Sequence, residues 1–225
     1  MSKQFDQDLN SLKEKLLTMA ATAEKMIHDT LQTLVKRDLN LFDPVKEAED
    51  KMDILQREID EETVRMISIY TPVASDLRLL LMTTKISAEL ERIGDKAMDI
   101  GFYTKNMLKE PPLKPLVDLP RMAEESIGML KKAMDAYTDA STAGAIEVIR
   151  MDDEVDNLHD QLFRELMTYV LSDPKTINRV LELILISRAF ERIADHSVNI
   201  SEDVFYMVKG QDIRHIKNIG EIIPG

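Results

Sequence analysis

Two stretches decide the architecture: KISAELERIGDKAMDI at 85–100 and LISRAFERIADHSVNI at 185–200. Each spaces its apolar residues three and four apart, as one face of a long helix requires. In the first stretch Ile86, Leu90, Ile93, Ala97 and Ile100 make that face. A shift of 100 positions lays Ile86 on Ile186, Ser87 on Ser187, Glu91 on Glu191, Arg92 on Arg192, Ile93 on Ile193, Asp95 on Asp195 and Ile100 on Ile200. Isoleucine matches alone are uninformative, because core positions favour them. The matched polar residues mark an internal duplication.

The same periodicity fills the flanking sequence. Leu9, Leu12, Leu16, Met19, Ala23 and Met26 line a first helix. A second begins near Asp43-Pro44, where proline suits the first helical position, and runs through Met52, Leu55, Ile59 and Met66 to about Ile69. Thr71-Pro72 breaks it, and the third helix then fades near Leu108. Pro111, Pro112, Pro115 and Pro120 mark a segment that regular helix does not tolerate, and this is the linker. The pattern restarts with helices over about 119–138, 143–171 and 176–209, and Asp173-Pro174 separates the last two. Short connections make neighbours antiparallel. The expected fold is all-α: six long helices in two tandem, duplicated up-down three-helix bundles packed together. Its boundaries are 1–110 for the first bundle, 111–120 for the linker, 121–209 for the second bundle and 210–225 for a C-terminal tail. Ile213, Ile216, Ile219, Ile222 and Ile223 leave that tail either capping the bundle or loose.

Composition narrows the classes. With only 7 Gly and 8 Pro in 225 residues, the chain lacks the turns of a sandwich or barrel. A net charge of −12 argues against broad nucleic-acid backbone binding and against adsorption to anionic lipid. Cysteine is absent, which removes disulfides, thiolate metal sites and cysteine nucleophiles. The N-terminal MSKQFDQDLN lacks a signal-peptide core, and the strongest apolar run, near Val180 to Ile186, is interrupted by Glu182. A soluble, cytoplasmic protein with no direct membrane insertion is expected.

Four times, two acids stand four apart: Glu49 and Asp53, Glu91 and Asp95, Asp152 and Asp156, Glu191 and Asp195. Such pairs share a helix face and destabilise it by roughly 0.2–0.5 kcal/mol each. Their positions mirror one another. Asp53 and Glu91 are equidistant from Pro72, as are Glu49 and Asp95. Asp156 with Glu191, and Asp152 with Asp195, are each equidistant from the Asp173-Pro174 break. Folding each hairpin at its proline therefore sets four carboxylates level, roughly 28 Å from the turn. With Leu90 at zero, the apolar stripe of the third helix lies between about 280° and 340°, while Glu91 and Asp95 fall at about 100° and 140°. The acids belong on the outer face of each bundle. Four gathered carboxylates repel by about 1 kcal/mol per pair in water, and a bound cation removes that penalty. All-oxygen ligation suits hard metals such as magnesium, manganese, calcium or iron, and bridging carboxylates allow a multinuclear site. Asp99, Asn199, Asp50 and Asp153 stand close enough in sequence to add ligands. The bland alternative is a solvated acidic surface, common in a chain this acidic.

Other signals are weaker. His196 points about 100° away from Asp195 and suits a surface or packing role. Asp156-x-x-His159 is a single relative of the di-iron Glu-x-x-His signature, which needs two copies. Arg92 and Arg192 follow the first acid of each matched motif and suit salt bridges that orient a carboxylate. No Gly-rich phosphate loop, nucleophile elbow or catalytic triad is present.

At these motifs the chain resembles the PhoU family. The residues that carry the likeness are Ser75-Asp76-Leu77-Arg78, Glu91-Arg92-Ile93-Gly94-Asp95, the run from Glu191 through Asp195-His196-Ser197-Val198-Asn199 to Ile200, the paired acids of the second and fifth helices, and Arg214-His215. The likeness extends over nearly the whole chain and departs after His215. It implies paired three-helix bundles that bind metal through acid-x-x-x-Asp motifs. It also implies a non-enzymatic regulator that links a phosphate ABC transporter, through its ATPase, to a membrane sensor histidine kinase, represses the phosphate-starvation response and forms a homodimer. Two alternatives remain open on the residues alone. One is a metal-dependent hydrolase or oxidase, which needs an acid or base that no histidine here is placed to supply. The other is a plain helical scaffold.

Overall fold

Helices form wherever the three-four periodicity runs. The structure, a computed structural model, describes residues 3–214. It contains α1 (Lys3–Lys36), α2 (Asp43–Tyr70), α3 (Ala74–Met107), α4 (Asp118–Thr138), α5 (Thr142–Ser172) and α6 (Ile177–Lys209), with no strand among the described residues. Each break has a local cause. Asp38 accepts the Asn40 N–H at 3.0 Å and opens a short 3-10 turn, Leu39–Phe42, ahead of Pro44. Thr71 ends α2 in the left-handed region at φ +41°, and Pro72 forbids continuation. Ser141 caps α5 through the Gly144 N–H at 3.1 Å, and Asp173 opens the 3-10 turn Pro174–Thr176. Gly210, at φ +69°, closes α6.

Six helices in two up-down bundles packed together are as the sequence predicts. α4 starts at Asp118, close to the expected start near 119, so Leu119 and Pro120 lie in its first turn and are shared with the 111–120 linker. An N–H there has no intrahelical partner to lose, so proline is tolerated. The linker is also fastened. Arg37 donates to the Glu110 carbonyl at 2.6 Å, and Leu113 and Leu116 pack against the core.

One apolar core runs through both bundles. The bundles meet chiefly along α3 and α6, with α1 and α4 in a second contact. α3 and α6 are antiparallel. Arg78 near the start of α3 donates to the Met207 carbonyl at 3.4 Å, Lys85 lies 3.8 Å from Asp203, and Glu89 accepts from Asn199 at 3.0 Å. This register sets Gly94 level with Ala194, so the 100-residue repeat acts as a pseudo-twofold axis across the seam. The two proline hairpins consequently sit at opposite ends of the molecule. Both expose apolar side chains, Val73 at 71% and Leu171 at 81%. Beyond α6 the chain turns back and buries Ile213 against Ile146 and Phe205. Ile216, Ile219, Ile222 and Ile223 lie outside the described residues. No helix among the described residues is long and apolar enough to cross a membrane.

Candidate metal centre

The hairpin turns set each group of four acids near one level of its helix pair, within electrostatic reach of one another. In the first, Glu49 and Asp53 stand on α2 and Glu91 and Asp95 on α3. Burial pushes the Glu49 carboxyl up, and the charges of Asp53, Asp50 and Asp95 push it further. Glu91 is raised by burial and then by Asp95, Asp53 and Glu49. Asp95 is raised by burial, against the pull of Lys96, with Asp99 and Asp53 adding to the rise. Among these neighbours, Asp95 acting on Glu49 and Asp53 acting on Glu91 are the cross-hairpin pairs that the proline mirror predicts.

The second set joins Asp152 and Asp156 on α5 to Glu191 and Asp195 on α6. Burial, followed by the charges of Asp156, Asp195 and Glu191, lifts Asp152 to about 7. Asp156 and Glu191 are also raised, by burial first and by Asp195 next. Two oxygens in this set, Asp152 Oδ1 and Glu191 Oε2, are buried without a hydrogen-bond partner.

The acids are less peripheral than the helical wheel places them. Asp53, Asp95 and Asp156 are exposed, but Glu49, Glu91, Asp152, Glu191 and Asp195 are half-buried, because packing of the hairpin covers the inner flank of each pair. Among the described residues no three acids or histidines converge into a ready-made ion cage. The donor chemistry nonetheless fits a hard cation. The donors are all oxygen, neighbouring cations such as Lys96 and Arg192 relieve their mutual repulsion only in part, and two of their oxygens are buried without a hydrogen-bond donor.

The neighbouring residues divide. Arg192 holds Asp195 at 2.8 Å and stands 3.8 Å from Glu191, as expected of a carboxylate-orienting arginine. Arg92 does not repeat this; it bonds Glu89 at 2.6 Å. Asp99 is engaged by Lys96 at 2.6 Å. Asn199 turns to Glu89 in the seam and not to the acids of its own bundle. His159 donates to Ser187 at 3.0 Å, whose own hydroxyl donates to the Ile184 carbonyl, so its ring serves a packed hydrogen-bond chain.

Glu89 is the residue that sequence reasoning passed over. It is 9% exposed and accepts from His196 Nδ1 at 2.7 Å as well as from Asn199 and Arg92. Burial would raise its carboxyl, but these donors outweigh it and hold Glu89 below its ordinary value. A signal was present: on the wheel of the third helix, position 89 falls at about 260°, at the edge of the apolar stripe.

Comparison with known proteins agrees with the duplicated helical fold. The PhoU domain matches residues 16–104 and again 119–204, one copy per bundle. A protein of Pseudomonas aeruginosa described as a phosphate-specific transport system accessory protein PhoU homolog is 36% identical over 217 residues, covering 96% of this chain and 90% of its own length. The phosphate-specific transport system accessory protein PhoU of Escherichia coli is 36% identical over 216 residues, with the same two coverages. The crystal structure of PhoU from Pseudomonas aeruginosa superposes with a TM-score of 0.88 at 35% identity, covering 92% of this chain and all of that one.

Proposed function

The chain belongs to the PhoU family, and from that premise we propose that it is a non-catalytic, metal-binding regulator of a phosphate transport system. It acts on the cytoplasmic side, as a homodimer. It links the ATPase of a phosphate ABC transporter to a sensor histidine kinase and represses the phosphate-starvation response when phosphate is plentiful. The accessory role is supported by the names of relatives that match almost the full chain at 36% identity. The metal is supported by one observation above all: two mirrored sets of carboxylates, four to a set, held where they repel, with Asp152 Oδ1 and Glu191 Oε2 buried without a hydrogen-bond partner.

Glu49, Asp53, Glu91 and Asp95 would hold one ion or cluster, and Asp152, Asp156, Glu191 and Asp195 the other. A hard cation there supplies positive charge that cancels the repulsion and ties α2 to α3 and α5 to α6. The protein's own contribution is positional. Each hairpin presents its acids at one height, and Arg192 fixes the orientation of Asp195.

Elemental analysis of protein purified without chelator tests the metal. Stoichiometric metal is expected in the wild type. Asp53→Ala with Asp95→Ala should empty the first site only, and Asp152→Ala with Asp195→Ala the second only. Metal content unchanged in both double variants rejects the sites. The regulatory role is tested separately, by asking whether the chain restores repression of a phosphate-starvation reporter in phosphate-rich cells that lack their own copy. No restoration by wild-type chain rejects that role, whatever the metal content.

A further inference from the structure

The seam between α3 and α6 carries a furrow along its polar side. On α3 its lining residues, Lys85, Glu89, Arg92, Lys96, Asp99 and Tyr103, recur every three or four positions and so share one stripe. The furrow has two halves, of about 420 and 380 Å³, and the 100-residue repeat maps one onto the other. Duplication thus provides an internal control, since the two halves began alike and have since diverged in charge.

One half balances its charges. Lys85, Arg92 and Arg214 face Glu89, Glu202 and Asp203. In the other half, Lys96, Arg188 and Arg192 face a single carboxylate, Asp99, with His196 and Tyr103 completing the wall. Three mapped positions add to the excess, offset in part by Leu185, which stands where the first repeat has Lys85, and by Asp99, which stands where the second has Asn199. Ala189 stands where the first repeat has Glu89, Arg188 where it has Ala88, and Tyr103 where the second repeat has Asp203. Lys96 is engaged with Asp99, and Arg192 with Asp195. Arg188 has no hydrogen bond or ion pair among the described residues. On a chain with a net charge of −12, this is a local reversal of sign with a guanidinium free to serve a ligand.

We propose that this basic half of the furrow binds the phosphoryl group of a small molecule, either inorganic phosphate or the terminal phosphate of a nucleotide. Arg188 is free to meet phosphate oxygens with a planar fork, and Lys96 and Arg192, held by Asp99 and Asp195, add positive charge beside it. Asp99 supplies what a purely cationic groove lacks. Near neutral pH a phosphoryl group still carries an O–H for part of the time, and a carboxylate can accept it; sulfate has no such proton to offer. The inference stands on the chemistry of the furrow and not on the adaptor role.

Isothermal titration of the full-length chain, stripped of metal with EDTA so that no anion is bridged by a cation, provides the test. Inorganic phosphate and ADP are titrated in separate arms, with sulfate as the competitor. The expected result is saturable binding of at least one phosphate probe, and the two arms decide which source the groove takes. Arg188→Ala and Lys96→Ala should each weaken it tenfold or more, and Lys85→Ala, in the balanced half, less than twofold. Asp99→Asn should narrow the preference for phosphate over sulfate. The thermal unfolding of each variant is recorded alongside, and Arg188, exposed and without a bond among the described residues, can be removed without loss of a bond seen there. Absence of binding by both probes at millimolar concentration overturns the proposal. So does an affinity that Arg188→Ala and Lys96→Ala leave intact.

Discussion

At position 89 a carboxylate sits where the second repeat is content with Ala189. It gathers three donors from two helices and so fixes the rotation of α6 against α3. Glu89→Ala would leave the His196 ring and the Asn199 amide without their acceptor, at an expected cost of about 1–3 kcal/mol. Urea denaturation measures it, and Glu89→Gln, which keeps an acceptor oxygen, should cost less. Asp152 behaves in the opposite sense. Its carboxyl is held up to about 7 by burial and by like charges, so in metal-free protein at pH 8 its repulsion works against the fold. Asp152→Asn is expected to melt higher than wild type without metal and lower than wild type when manganese is added. An unchanged order in both conditions would count against a cation at that set. The two residues show what spacing can and cannot disclose. Asp152 was legible because its partners mirror it about Asp173-Pro174. Glu89 was visible only as a polar residue at the rim of an apolar stripe, and its partners lie on a helix whose approach no local pattern specifies.

Among the elements, the short turn between α1 and α2 acts as a wedge. Phe42 enters α3 at Gly101, where an added Cβ would fall well inside van der Waals contact of the ring. Gly101→Ala is therefore expected to destabilise by about 1–3 kcal/mol, despite alanine's better helix propensity, as thermal unfolding would record. Nothing near Gly101 in sequence announces this, since the ring that needs the space belongs to a distant turn. Helix ends were easier to read, because proline and the capping residues act locally. The end of α2 still departs from convention. Thr71 occupies the left-handed region that glycine adopts without strain, so Thr71→Gly should stabilise by up to about 1 kcal/mol. Pro120 belongs both to the proline-rich linker and to the start of α4, since proline excludes the interior of a helix but not its first turn.

For the molecule as a whole, the duplication was legible in full, because a repeat needs only to be compared with itself. The pairing of α3 with α6 was not, since periodicity defines a face without naming its partner. That pairing buries acids with consequences for stability. Burial lifts Asp203 to about 6 and Glu202 to about 7, against the partial relief of Asp203 by Lys85 and of both acids by Arg214; Glu89 and Asp212 add repulsion. The folded chain holds these protons more tightly than the unfolded one, so their contribution lowers stability as pH rises from about 4 to about 7. Asp203→Asn should raise the melting temperature at pH 8 by roughly 2–4 °C, the shift of about 1 kcal/mol in a chain of this size, and the gain should vanish near pH 4. Calorimetry across that range decides it. The opposed directions of α3 and α6 also fix a length. Each helix runs about 50 Å, so the two greasy elbows at Pro72 and Pro174 stand about that far apart, like the feet of a caliper. A body smaller than that span can grip one foot but never both. Two bodies, one at each foot, would be held at a set distance without touching.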